Sequence, residues 1–135
     1  MRFSSVKYLS RSVDPEPLRE RSGLRWTGGT ARGFGRFLQD QLNPHSRLFG
    51  DETRGLFYSP QHVARGTEVA MTLGWHVGSL DGNRFFYKEG GGGGFHSMMR
   101  VYPSRSVASV VMANATAFDV AKCLTAMDPQ VLRPS

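Results

Sequence analysis

The chain has one cysteine, Cys123, in 135 residues, which excludes an internal disulfide and a cysteine-based zinc cluster. Cys123 lies beside Leu124 in a helical pattern and reads as a buried, inert thiol. Apolar runs long enough to span a bilayer are missing, and the basic N-terminus MRFSSVKYLSRS lacks the apolar segment of a signal peptide. The expectation is a protein with no membrane contact that is cytoplasmic by default. Acidic residues are in the minority: 17 Lys and Arg against 11 Asp and Glu leave a formal net charge of +6. A concentrated excess of this kind would favour nucleic acid. The arginines are dispersed, however, and Asp14, Glu16 and Glu20 interrupt the basic first third. A solvated surface, with no nucleic-acid partner, is therefore expected. The four histidines give no metal motif. His45 and His62 fall in loops and His76 and His96 in strands, with no acidic partner at a telling spacing and no HExxH. No cofactor and no metal are expected. Trp26 and Trp75 read as core or cleft-wall aromatics.

What is present falls into two parts, an irregular N-terminal arm over residues 1–28 and a folded unit over 29–135. The arm holds Pro15, Pro17 and scattered charge without helical or strand periodicity. From Thr30, a plausible N-cap, Ala31, Phe34, Phe37, Leu38 and Leu42 fall on one helical face, and Pro44 ends the run. A second short helix is predicted over Asp51 to Phe57, with Asp51 and Glu52 placed against the N-terminal dipole.

The regular patterning comes next. MTLGWHVGSL and NRFFYKE flank Asp81-Gly82, a tight-turn signal, and predict a hairpin of residues 71–79 and 84–89. GFHSMMRVY and SVASVVMAN flank Pro103-Ser104-Arg105 and predict a second hairpin of residues 94–102 and 106–113. The last strand is apolar on both faces, as a central, covered strand would be. A final helix is expected after Thr116, its cap, with Phe118, Ala121, Leu124 and Ala126 or Met127 facing the sheet. The predicted class is α+β: an antiparallel meander of about four strands packed against a C-terminal helix, with one or two helices before the sheet.

Within that frame lies the run FYKEGGGGGFHSMM. A linker would separate domains and carry serine or charge, whereas these glycines sit inside a strand-pairing unit. A dinucleotide fingerprint would need glycine or alanine where Phe95 stands and a helix behind it. The Walker pattern fails because no Gly-Lys-Ser or Gly-Lys-Thr follows. What remains is a strand whose edge is approached closely by another backbone or a ligand.

The ordered segments LRWTGGTARGFGRFLQDQLN, RLFGDETRGLFYSPQ, TLGWHVG and FYKEGGGGGFHSMMRVYPSRSVASVVMANAT resemble the C-terminal part of the serine β-lactamase and penicillin-binding-protein-like family. They are most similar to its class C and esterase-like branch. The resemblance covers residues 23–127 and implies a partial β-lactamase/transpeptidase-like fold. Lys88-Glu89-Gly90 takes the place of the family's Lys-Thr-Gly or His-x-Gly motif. By itself Lys88 reads as a solvated strand lysine; the resemblance makes it the positive charge that steadies substrate and a developing oxyanion. It also makes the Gly91 N–H the second oxyanion donor and assigns Glu89, Gly90 and Gly92 to substrate binding at the cleft; His96, which follows Phe95, reads either as a half-exposed strand histidine or as a substrate-binding residue at the cleft mouth. Glu89 replaces a threonine or serine, and its charge would repel a substrate carboxylate, which favours a neutral ester or amide.

The family's nucleophile, a serine in Ser-x-x-Lys that opens a buried helix, and its Tyr-x-Asn base belong to an N-terminal portion with no counterpart here. Ser4-Ser5-Val6-Lys7 matches the first pattern on paper, but it lies in the arm with no apolar helix to bury it. Two functions follow as expectations. One is the C-terminal piece of a serine acyl hydrolase, inactive as this isolated chain, whose complete enzyme takes a small ester or amide. The other is a non-enzymatic antiparallel-sheet module that binds a partner, or itself, through an open sheet edge.

Overall fold

The computed structural model describes residues 6–9 and 30–133. Its main sheet has five strands in the order β1-β7-β6-β5-β4, with β1 at Val6–Leu9, β4 at His76–Leu80, β5 at Asn83–Gly92, β6 at Phe95–Tyr102 and β7 at Val107–Ala113. Strands β4 to β7 form the predicted antiparallel meander. The fifth strand was not legible. Residues 6–9 lie in the stretch that reads as an irregular arm, yet they pair in parallel with β7, Val6 opposite Ala108 and Leu9 opposite Val111. A four-residue strand gains its stability from the neighbour it docks on, so its own periodicity carries little signal. The remainder of the arm, Trp26 included, lies outside the described residues.

Helix α1, Ala31–Leu42, starts where expected: the Thr30 side chain accepts from the Gly33 N–H, and Asn43 closes the helix before Pro44. It lays Leu38 on a cluster of Trp75, Phe86, Val101, Ala108 and Val110, against which Phe34, Phe37 and Leu42 also pack. Helix α2, Asp51–Tyr58, adds Phe57 and Tyr58 to the same face. Tyr58 donates to Gln41 Oε1 at 2.9 Å and so ties the two helices. Burial pushes the Tyr58 hydroxyl pKa up to about 12. A two-stranded ribbon of β2, Gln61–His62, and β3, Glu68–Val69, leads into β4.

The opposite face of the sheet is covered by α3, Val120–Leu132. Its cap differs from expectation. Asp119, not Thr116, accepts from the Lys122 N–H, and the buried positions are Val120, Leu124, Asp128 and Leu132, one side chain per turn at i, i+4 spacing. Phe118, expected on the packed face, is 39% exposed. Asp128 is fully buried because Arg100 of β6 meets it at 3.1 Å and the Tyr102 hydroxyl donates to it at 2.6 Å. Cys123 is only partly buried, its thiol against Met127. Strand β7, between β1 and β6, is buried along most of its length, as its two-sided apolarity predicted.

Candidate active site

Alternation along β5 decides what each candidate residue can touch. Phe86 packs with α1, whereas Phe85 and Tyr87 pack with the residues on the α3 side. Continuing that alternation, Lys88, Gly90 and Gly92 belong to the α1 face, and Glu89 and Gly91 to the α3 face. The register agrees: Lys88 opposes Met99, which packs in the α1 cluster, and Glu89 opposes Met98, which is buried in the α3 cluster.

The sheet therefore divides the predicted site. Lys88 is exposed on the α1 face. On that face Gly90 opposes Ser97, and the Ser97 hydroxyl donates to the Gly90 carbonyl at 3.2 Å. On the other face Glu89 and His96 meet, Oε1 to Nε2 at 2.7 Å. The sequence offers no acidic partner for His96 at a telling spacing, because a contact seven residues apart looks local to neither helix nor strand. The hairpin creates it by setting His96 diagonally across from Glu89 on one face. Glu89 is thus turned to the opposite side of the sheet from Lys88 and is paired with His96. His45, His62 and His76 join neither group. Among the described residues no cluster of three or more His, Cys, Asp or Glu could hold a metal ion.

The backbone supplies the second element. Both hairpins that contain β5 have two-residue loops: Asp81-Gly82 between the paired Leu80 and Asn83, and Gly93-Gly94 between the paired Gly92 and Phe95. Asp81, Gly82 and Gly94 have φ of 49°, 75° and 93°, the left-handed values such turns demand. The residues flanking a two-residue loop exchange N–H and C=O with one another, and each next residue points the opposite way. Asn83, Phe85 and Tyr87 consequently turn to β4, and Arg84, Phe86, Lys88, Gly90 and Gly92 turn to β6. Pairing with β4 ends at His76 opposite Tyr87. Glu89 and Gly91 thus direct their N–H and C=O groups past the end of β4, and no described strand pairs with them on that side.

The loop before α3 braces the glycine segment. Thr116 Oγ1 accepts from the Gly94 N–H at 2.8 Å and donates to the Gly92 carbonyl at 3.1 Å, and the Phe118 carbonyl lies 2.8 Å from His96 Nδ1. Gly91 lies beneath the imidazole, where a Cβ would come 3.2 Å from His96 Cδ2. The sequence gives no signal for Ser97 and marks Thr116 only as a helix cap, not as a partner of the glycine segment. Reading Gly93-Gly94 as a two-residue turn would have paired Gly90 with Ser97, but five identical residues leave that register open.

The beta-lactamase family model matches residues 7–131, and the chain belongs to that family. No curated protein and no solved structure matches it. The match begins inside the stretch that reads as an arm, in keeping with β1 being part of the sheet. No described helix is long and apolar enough to cross a membrane.

Proposed function

We propose that the chain carries the oxyanion-stabilising part of a β-lactamase-related, esterase-like serine acyl hydrolase. The observation that supports this most directly is the extension of β5 past β4, which leaves the Gly91 N–H without a partner strand among the described residues, three residues along the strand from Lys88. Hydrolysis of an acyl ester or amide develops negative charge on the carbonyl oxygen. A fixed N–H donor and a nearby ammonium lower the energy of that charge where it forms. In this reading the Gly91 N–H binds the oxyanion, Lys88 supplies the positive field, and the free edge at Glu89 and Gly91 aligns the substrate. Gly90 and Gly92 let the substrate approach the strand closely.

The nucleophile comes from elsewhere. Residues 30–133 contain neither Ser-x-x-Lys nor Tyr-x-Asn. In Ser4-Ser5-Val6-Lys7, Lys7 stands on β1 opposite Ser109. Ser4 lies outside the described residues.

The purified chain is expected to show no labelling by a serine-reactive fluorophosphonate and no hydrolysis of a p-nitrophenyl ester. Stoichiometric labelling that disappears in Ser4→Ala would place the nucleophile in the arm and overturn this part of the proposal. With a nucleophile-bearing portion supplied, Lys88→Ala should lower turnover by about one or more powers of ten; unchanged kinetics would remove Lys88 from the site.

A further inference from the structure

Five consecutive glycines make poor material for a strand that must hold one N–H in a fixed direction. Each adds backbone freedom, and none contributes a side chain to pack. The rigidity has to be imposed from outside. Thr116 does so at the hairpin tip through Gly92 and Gly94. Gly91 is closer to the proposed chemistry, and the side chain in contact with it is His96.

We propose that His96 is a positioning residue, holding the Glu89–Gly91 stretch from behind with one hydrogen bond from each ring nitrogen and so fixing the direction of the Gly91 N–H. This rests on the reading of Gly91 as an oxyanion donor; the brace itself rests on geometry alone. Phe118 offers a carbonyl oxygen to Nδ1 at 2.8 Å, and Glu89 offers a carboxylate oxygen to Nε2 at 2.7 Å. A carbonyl only accepts, so Nδ1 carries a proton. An ionised carboxylate also only accepts, so Nε2 carries one too. In its imidazolium form His96 donates to both, clamped between β5 and the loop leading into α3.

The brace needs glycine at 91. A side chain there would press on the ring, since its Cβ would stand 3.2 Å from Cδ2, and the imidazole would have to give by a few tenths of an ångström. Among the described residues, the charged groups facing His96 are Glu89 on β5 and Asp119 at the start of α3. Both favour the protonated ring. The hydrogen bond to Glu89, then that to Phe118, raise the His96 pKa above its ordinary value. Loss of the second proton removes one donor and leaves a nitrogen lone pair facing an acceptor.

The test uses the intact chain labelled with 15N at histidine and along the backbone. At pH 6 the His96 ring should show two protonated nitrogens, with a titration midpoint above the ordinary value of 6.5. Glu89→Gln keeps the shape but removes the charge, and should lower that midpoint. In the same variant, amide exchange at Gly90, Gly92 and Gly94 should be about tenfold faster than in the parent chain at one fixed pH. These N–H groups face β6 or Thr116, so their exchange reports the hold on the strand. A titration midpoint at or below 6.5 would overturn the proposal, and so would unchanged glycine exchange in Glu89→Gln. The wild-type titration decides the first point even if the variant folds poorly. Neither readout depends on turnover, so failure here leaves the acyl-hydrolase proposal standing, and failure of the Lys88 and fluorophosphonate tests leaves the brace standing.

Discussion

At the scale of single residues, glycine serves two different ends in this sheet. Gly91 leaves room for an imidazole and has a backbone that faces outward. Gly78 on β4 leaves room for an aromatic ring: a Cβ there would lie 2.5 Å from Phe85 Cζ. Phe85 cannot simply retreat, because its ring packs against Tyr102 at 5.2 Å between centroids and the Arg100 guanidinium sits 4.6 Å from its centre. Gly78→Ala should therefore overpack the site and cost about 1–3 kcal/mol, read as a lower denaturation midpoint. A midpoint at or above that of the parent would mean that the Phe85 ring is free to move. Gly78 in TLGWHVG gave no hint of this from the sequence. Its partner across the sheet is set by the Asp81-Gly82 turn, and the ring that covers it is set by packing.

At the scale of elements, α1 and α3 are held to the sheet by different physics. Helix α1 relies on apolar burial, with Leu38 fully buried among sheet residues. Helix α3 adds a polar lock. Arg100 gives Nη1 to Asp128 and Nη2 to the Ala121 carbonyl and Thr125 Oγ1, while Tyr102 donates to the same carboxylate oxygen. Burial, then the hydrogen bond to Asp128, push the Tyr102 hydroxyl pKa well above its ordinary value, so it stays a donor. Removing one member of such a pair strands the other charge without solvent. Asp128→Ala should thus cost about 3–5 kcal/mol, more than its lost packing accounts for, and urea titration can measure it. A loss below about 1 kcal/mol would show that Arg100 reaches water by a small shift. Sequence periodicity put α3 in place but could not anticipate an aspartate at a core position, because an acidic residue at i, i+4 from Leu124 reads as surface until its cation is known.

At the scale of the whole molecule, the His96 clamp makes stability depend on pH with a definite sign. Its folded pKa lies above the unfolded value, so the unfolded chain binds fewer protons and the stabilisation is complete below about pH 6.5. It should fade as pH rises from there through the folded His96 midpoint. Denaturation midpoints of the parent chain should fall over that window, and Glu89→Gln should flatten the dependence. A parent profile that rises or stays level there would contradict the clamp. Because the pair is partly solvent-exposed, the effect should also shrink in high salt.

The sequence by itself determined the local grammar of this protein. Thr30 and Pro44 bounded α1, Asp81-Gly82 and Pro103 placed two turns, and the two-sided apolarity of Val107 to Ala113 marked a central strand. Caps, turns and periodicity act over a few residues, so they can be read without the fold. The tertiary structure decided the rest. It docked residues 6–9 beside β7, buried Asp128 against Arg100, and ended β4 short of Glu89 so that no described strand pairs with Gly91 on that side. It also put Lys88 and Glu89, neighbours in the chain, on opposite faces, and joined Glu89 to His96. Each of these depends on strand register and on contacts between elements far apart in sequence. A strand's period of two means that one step of register moves every side chain to the other face, and a run of five glycines contains nothing local that could fix that step.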